Sequence, residues 1–162
     1  MASSGRSASS STSTLGYRAE EHVGKWLAEA GWELLHHRWR CRWGELDWVA
    51  LTPKPVNASN HKERDAVHPG RTQHQPLSQE LVFIEVKARR QGNWDADGLL
   101  AITPQKQAKL WRAAELFLAD DPHWATFPCR FDVVLVRVTG NAAERRGEQL
   151  VIQQHIPNAF SL

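Results

Sequence analysis

Glu85 and Lys87 stand two residues apart in Leu81-Val82-Phe83-Ile84-Glu85-Val86-Lys87-Ala88, an otherwise apolar run. Side chains alternate faces along a strand, so the acid and the lysine share one. Burying either charge is costly unless it is paired, hydrogen-bonded or holding a metal. An E-x-K pair in a strand often makes an ion pair and nothing more. Here the strand is apolar on both faces, and a second acid lies on a neighbouring core-like stretch, Glu45-Leu46-Asp47-Trp48-Val49-Ala50. Strict alternation puts Leu46, Trp48 and Ala50 on one face and Glu45, Asp47 and Val49 on the other. If the two strands pair, Asp47 and Glu85 converge on one side of the sheet. Two carboxylates, the backbone carbonyl of Val86 and waters make a hard oxygen site suited to Mg²⁺ or Mn²⁺. Beside it, Lys87 has a task in hydrolysis of a phosphodiester: it orients or helps deprotonate the attacking water and offsets charge growing on the phosphate. These residue types suit metal-assisted phosphoryl chemistry better than acyl or glycosyl transfer.

The elements that must position these groups follow from periodicity. Residues 16–30 read as an amphipathic helix with Ala19, Val23, Trp26, Leu27 and Ala30 on one stripe, stopped by Gly31. Glu20 falls at the edge of that stripe and Glu21 nearly opposite, so only Glu20 can look toward the core; a solvated boundary glutamate is the plain alternative. Trp32 to Trp39 reads as a first strand, followed by a basic aromatic corner, Arg38-Trp39-Arg40-Cys41-Arg42-Trp43. The stretches 45–50 and 81–88 supply the second and third strands. A second helix opens with Thr103 as N-cap and Pro104 at the first helical position. Its stripe runs through Leu110, Trp111, Ala114, Phe117 and Leu118, with Gln107 on the core face and Lys106 at its edge. Gln107 either caps a neighbouring backbone group or reaches the site. Further strands are expected at Phe131–Val138 and Leu150–His155. The order helix, three strands, helix, strand, strand predicts an α/β fold: an antiparallel meander, then a helical crossover making the fourth strand parallel to the third.

Composition bounds the rest. A chain of 162 residues with 41% hydrophobic content is one domain with room for a core. Residues 1–14, rich in serine and threonine, are expected to be a disordered tail, and residues 15–162 a single domain. Residues 52–80 carry four of the eight prolines and read as a mobile insertion. The insertion's His61, His68 and His74 lack metal-ligand spacing and read as solvated. Cys41 and Cys129 form no framework, and no apolar run is long enough for a membrane helix, so a cytoplasmic setting without membrane contact is the expectation. The formal net charge of +2 means that nucleic acid would have to be held by local clusters. Candidates are Arg38, Arg40, Arg42, Arg89, Arg90, Lys106, Lys109 and Arg112. Trp43 or Trp94 would stack on an unpaired base, or else simply pack beneath a solvated basic surface.

Five ordered motifs carry a resemblance: Gly16-x-x-x-Glu20, GELDWVA at 44–50, LVFIEVKAR at 81–89, ITPQKQAKL at 102–110 and RFDVV at 130–134. Over roughly residues 15–138 the chain resembles the YraN family of bacterial proteins. That family is grouped with the PD-(D/E)XK nuclease superfamily, near the archaeal Holliday junction resolvases. The resemblance implies a restriction-endonuclease-like α-β-β-β-α-β core with a mixed sheet flanked by helices. It implies Asp47 and Glu85 as metal ligands, Lys87 as the catalytic lysine and Glu20 as an accessory acid binding metal through water. Lys106 and Gln107 match a K-Q pair placed near the site. Leu46 stands where the superfamily motif has proline, as in the YraN-like pattern, and the 52–80 segment is longer than the family's short hairpin. DNA or RNA is the implied substrate class, and kinship with the dimeric resolvases adds a homodimer as a candidate assembly. A non-catalytic nucleic-acid-binding module and a protein-interaction subunit on the same fold are the competing functions.

Overall fold

The computed structural model describes residues 8–54, 78–90, 102–140 and 147–160, with side chains from Thr14 onward in the first segment. Most of the expected insertion, its three histidines, Trp94 and residues 1–7 lie outside the described residues. The elements are α1 (Ala8–Glu29), β1 (Glu33–Cys41), β2 (Gly44–Leu51), β3 (Leu81–Arg90), α2 (Pro104–Asp120), β4 (Cys129–Thr139) and β5 (Gln149–Phe160). Five strands form one sheet in the order β1-β2-β3-β4-β5. The first three are an antiparallel meander, β3 and β4 are parallel, and β4 and β5 are antiparallel. This is the mixed α/β architecture that the order of elements predicts.

Each helix covers one face of the sheet. On the α1 face, Ala19, Val23 and Leu27 pack with Ala50, Val82, Ile84, Val134 and Val136. On the α2 face, Leu110, Ala113, Ala114 and Phe117 pack with Leu46, Val49, Phe83, Phe131, Val133 and Leu135. Thus even-numbered residues of β3 and β4 meet α1, and odd-numbered residues meet α2. Burial of both faces explains why these two central strands read as continuous apolar runs.

Helix α1 starts at Ala8, earlier than the expected start at residue 16. Serine and threonine cost a helix only about 0.5 kcal/mol each, and extending an anchored helix needs no new nucleus. Its C-terminus is closed at Gly31, with φ of 83°. The amide of Trp32 donates to the Leu27 carbonyl and that of Gly31 to the Ala28 carbonyl, both at 3.0 Å. These are the two bonds of a Schellman cap. Ala30 is exposed rather than on the buried stripe, because it already belongs to that cap.

The alternation expected along β2 also changes. Leu46 packs on the α2 face with Val49 and Leu51, whereas Trp48 and Ala50 pack on the α1 face. The face switches between Leu46 and Trp48, so Asp47 occupies the irregularity itself. Across from it Arg38 takes the left-handed φ of 55°, and the ladder resumes at His37↔Trp48. A residue forced out of the pleat removes the strict period-two pattern.

Two short-range features hold this frame. Thr52 and the residues before β3 are tied: the Thr52 amide donates to the Glu80 carbonyl at 3.0 Å, and the Glu80 amide to the Thr52 hydroxyl at 2.9 Å. The segment between β2 and β3 is therefore closed at its base, and its length does not disturb the hairpin. Secondly, α1 approaches β2 at Gly24, where a methyl group would overlap the Trp48 indole. We predict that Gly24→Ala destabilises the fold by about 1–3 kcal/mol through overpacking. Urea denaturation followed by tryptophan fluorescence measures it, and wild-type stability would show that Trp48 moves freely.

Candidate active site

The β2–β3 ladder runs from Leu51↔Leu81 to Trp48↔Ile84 and goes no further. Beyond that pair the strands part, and the next amide on β3 finds a side chain instead of a strand. The Val86 N–H donates to Asp47 Oδ2 at 2.8 Å. The parting thus places a carboxylate at the mouth of the gap, against the residue between Glu85 and Lys87.

Glu85 projects onto the α2 face and is only 4% exposed. Its Oε1 receives Lys87 Nζ at 2.7 Å and Lys106 Nζ at 3.2 Å. Its Oε2 is buried and has no hydrogen-bond partner. A buried carboxylate oxygen left unpaired costs about 1–3 kcal/mol or more, so this atom is held ready for something that binds oxygen. Asp47 completes the pair. Burial, and then the negative charge of Glu85, push its carboxyl up to about 7, against the opposing effect of the Val86 amide. A second carboxylate whose ionisation is resisted by the first is what a divalent cation would relieve.

Glu20 comes from α1 on the other side. It is buried while Glu21 is exposed, as the helical wheel places them. Burial raises its carboxyl above the ordinary range, with Arg38 and His37 opposing. Its Oε2 lies 3.1 Å from His37 Nε2 and 3.4 Å from Arg38 Nε. Trp48 fixes this corner: its indole N–H donates to the Glu20 carbonyl at 2.8 Å, and its ring stacks on His37 at 4.2 Å.

Glu20, Glu45 and Asp47 bring carboxylate oxygens within 4.8 Å of one another, while Glu85 stands outside that trio. Glu45 is the member that residue-type reasoning did not select, although alternation had already put it beside Asp47. Both its oxygens are engaged, one by Arg38 and the other by Arg40 at 2.6 Å. Arginine pairing therefore distinguishes Glu45 from the acids with spare capacity. His37 and Arg38 were not legible as neighbours of Glu20, because the left-handed turn at Arg38 is what aims them.

The remaining candidates divide. Gln107 makes the capping contact, donating from Nε2 to the Ile102 carbonyl at 3.1 Å. Thr103 caps α2 as expected, accepting from the Lys106 amide at 3.2 Å. Lys106 points at Glu85 as well as toward a cleft of about 200 Å³ lined by Trp43, Gly44, Glu45, Lys109 and Leu110. Trp43 has Arg112 over its ring at 4.4 Å and Arg42 at 5.4 Å. Arg40 is bound to Glu45, and Arg90 pairs with Glu148. Arg89 lies on the α2 face with Glu85 and Lys87. A separate polar cluster lies on β4: fully buried Asp132 accepts from Arg130 at 2.9 Å and the Asn158 amide at 2.9 Å, and lies 2.8 Å from His155. Burial alone would raise the Asp132 carboxyl, but these hydrogen bonds together hold it below the usual range. Asp132 is thus a satisfied anchor between β4 and β5.

A mixed sheet of this order, with two flanking helices and acids gathered where β2 and β3 part, defines a protein with a restriction-endonuclease-like core. The chain belongs to the uncharacterised protein family UPF0102, the YraN-like family, whose model matches residues 19–136. It is 42% identical over 172 residues to a UPF0102 protein of Trichodesmium erythraeum, covering 90% of this chain and 87% of the relative. A UPF0102 protein of Nostoc sp. is 40% identical over 87% of this chain and 89% of its own length. One from Acaryochloris marina is 44% identical over 79% of this chain, which spans 65% of that relative.

The raised Asp47 carboxyl has a testable consequence. A carboxyl with a higher pKa folded than unfolded favours folding at low pH, and this contribution is lost as pH rises through about 7. Without metal, Asp47→Asn should therefore be more stable than wild type near pH 8, on the order of 1–3 kcal/mol, with the difference closing toward pH 5. Thermal melts of both proteins across that range measure it. A variant equally destabilised at every pH would show that the Asp47 carboxylate is comfortable where it lies.

Proposed function

We propose that this protein is a metal-dependent, endonuclease-like hydrolase of phosphodiester bonds in nucleic acid, with DNA as the first substrate to test. The observation that carries this reading is the unpaired, buried Oε2 of Glu85 in a site shared with Asp47 and Lys87. The donor set is all oxygen, which fits Mg²⁺ or Mn²⁺. Asp47, Glu85 and the Val86 carbonyl would hold the ion, with Glu20 assisting through water. A bound divalent ion would supply Lewis-acid polarisation of a phosphoryl oxygen.

The chain's own residues have the following parts. Lys87 is tethered to Glu85 at 2.7 Å and is 28% exposed, so its ammonium is both positioned and reachable. It is suited to orienting the attacking water and to offsetting charge on the phosphate as the leaving P–O bond breaks. Lys106, also on Glu85, adds a second ammonium beside the same carboxylate. His37, Arg38 and Trp48 position Glu20 and are not assigned contact with substrate. A cytoplasmic location and a homodimer accord with this reading. No helix among the described residues is long and apolar enough to cross a membrane.

Labelled branched, flapped, single-stranded and duplex DNA, with RNA in parallel, should be cut in Mg²⁺ or Mn²⁺ and spared in chelator. Lys87→Ala and Glu85→Gln should each lower the rate at least about a hundredfold. Equal background from wild type and both variants would sink the hydrolase reading. Salt-sensitive binding indifferent to chelator and to Glu85→Gln would then favour a binding module.

A further inference from the structure

Arg38 is set among acids rather than against solvent. The β1–β2 ladder pairs His37 with Trp48 and Trp39 with Leu46, so Arg38 stands across from Asp47 at the irregular step. Its φ of 55° lies in the left-handed region that most side chains avoid. From there the guanidinium reaches α1 as well as β2. Its Nε lies 3.4 Å from Glu20 Oε2 and also donates to Glu45 Oε1. The Tyr17 ring adds a third contact, with Arg38 Cζ 5.7 Å from its centroid.

Glu20 and Glu45 are two members of the trio completed by Asp47, whose oxygens lie within 4.8 Å of one another. The hydrogen bond with Glu45 raises the Arg38 guanidinium above its ordinary value against the effect of burial, and the charges of Glu20, Glu45 and Asp47 act in the same direction. This charge cannot be titrated away. Carboxylates so close together would suit a divalent cation, yet here the chain supplies the cation itself. Arg40 holds the other oxygen of Glu45 at 2.6 Å, and His37 Nε2 lies 3.1 Å from the Glu20 oxygen that Arg38 faces. An ion arriving at the trio would have to strip donors from Glu20 and Glu45 and sit against a standing positive charge. Glu85 presents the opposite case. It stands outside the trio and keeps Oε2 without a hydrogen-bond partner.

We propose that the Arg38 guanidinium takes the place of a second divalent ion at Glu20, Glu45 and Asp47, so that the protein holds one ion, at Asp47 and Glu85. The inference rests on the metal-dependent reading of that site. It makes Arg38 the residue that sets the number of ions bound. Lys87 is then the other positive charge beside the single ion, held on Glu85 at 2.7 Å.

The test is the number of Mn²⁺ ions bound by the full chain without nucleic acid, from the electron paramagnetic resonance of free Mn²⁺. Wild type should bind one. Arg38→Asn should bind two, the second at least about tenfold more tightly than any second ion in wild type. Asparagine and glycine both tolerate the left-handed backbone, so Arg38→Gly should fold and give the same count. Arg40→Gln removes the same charge from the same glutamate but leaves Arg38, and should still bind one. Adding Glu20→Gln to Arg38→Asn should return the count to one. Two ions in wild type, or one in both Arg38 variants, would overturn the inference. So would a second ion in Arg40→Gln, which would mark a general effect of charge, or one that survives Glu20→Gln. No ion in wild type and one in Arg38→Asn would keep the role of Arg38 and remove the metal from the proposed hydrolase. No ion in any of these proteins would overturn both.

Discussion

The hydrogen bond from the Val86 amide to the Asp47 carboxylate fixes the geometry on which the site depends. Two antiparallel strands normally satisfy each other's amides along their whole length. Here β2 and β3 stop pairing after Trp48↔Ile84, and a side chain takes over one backbone donor. The substitution lets the strands diverge without leaving that amide unsatisfied. It also pins Asp47 against β3, and so sets one carboxylate beside Glu85 despite the unfavourable charge between them. Divergence and acid pairing are therefore one structural event.

The rest of the molecule can be understood as support for that gap. Both sheet faces are covered, so β3 and β4 are rigid where Glu85 and Lys87 emerge. The left-handed Arg38 lies on the strand beside the irregularity at Asp47, and its side chain reaches Glu20 and Glu45. Trp48 links α1 to β2 through the Glu20 carbonyl, and Gly24 gives its ring room. Four cations, Lys87, Lys106, Arg38 and Arg40, hold Glu85 and Glu45 in ion pairs. Such pairing keeps clustered acids folded, yet it leaves Glu85 Oε2 free. Pairing is complete at Glu45 and incomplete at Glu85, and this difference separates an acid with a structural role from one with spare capacity.

The distribution of positive charge follows the same division by face. Sequence alone grouped Arg89 with Arg90 as adjacent basic residues. The pleat sends them to opposite sides, one toward Lys87 and one into an ion pair with Glu148. Arg38, written into the basic corner at 38–43, is aimed by its left-handed backbone at Glu20 and Glu45. A basic surface counted from composition would have included it, although its charge is spent on acids of the chain.

The sequence by itself determined the strands and helices, their order, and the residues worth watching. Period-two alternation set Glu85 with Lys87, and the helical wheel chose Glu20 over Glu21, because these are local consequences of backbone geometry. Thr103 and Gly31 marked helix ends for the same reason. Tertiary structure alone decided where alternation fails, at Asp47, since that depends on the strand opposite. It decided that Gln107 caps Ile102, that Glu45 is fully paired, and that Arg38 bridges Glu20 and Glu45. Each of these rests on contacts between residues far apart in the chain, whose distances no local period encodes. Helix α1 likewise begins earlier than its composition suggested, because a helix anchored by tertiary packing extends through residues that would not start one.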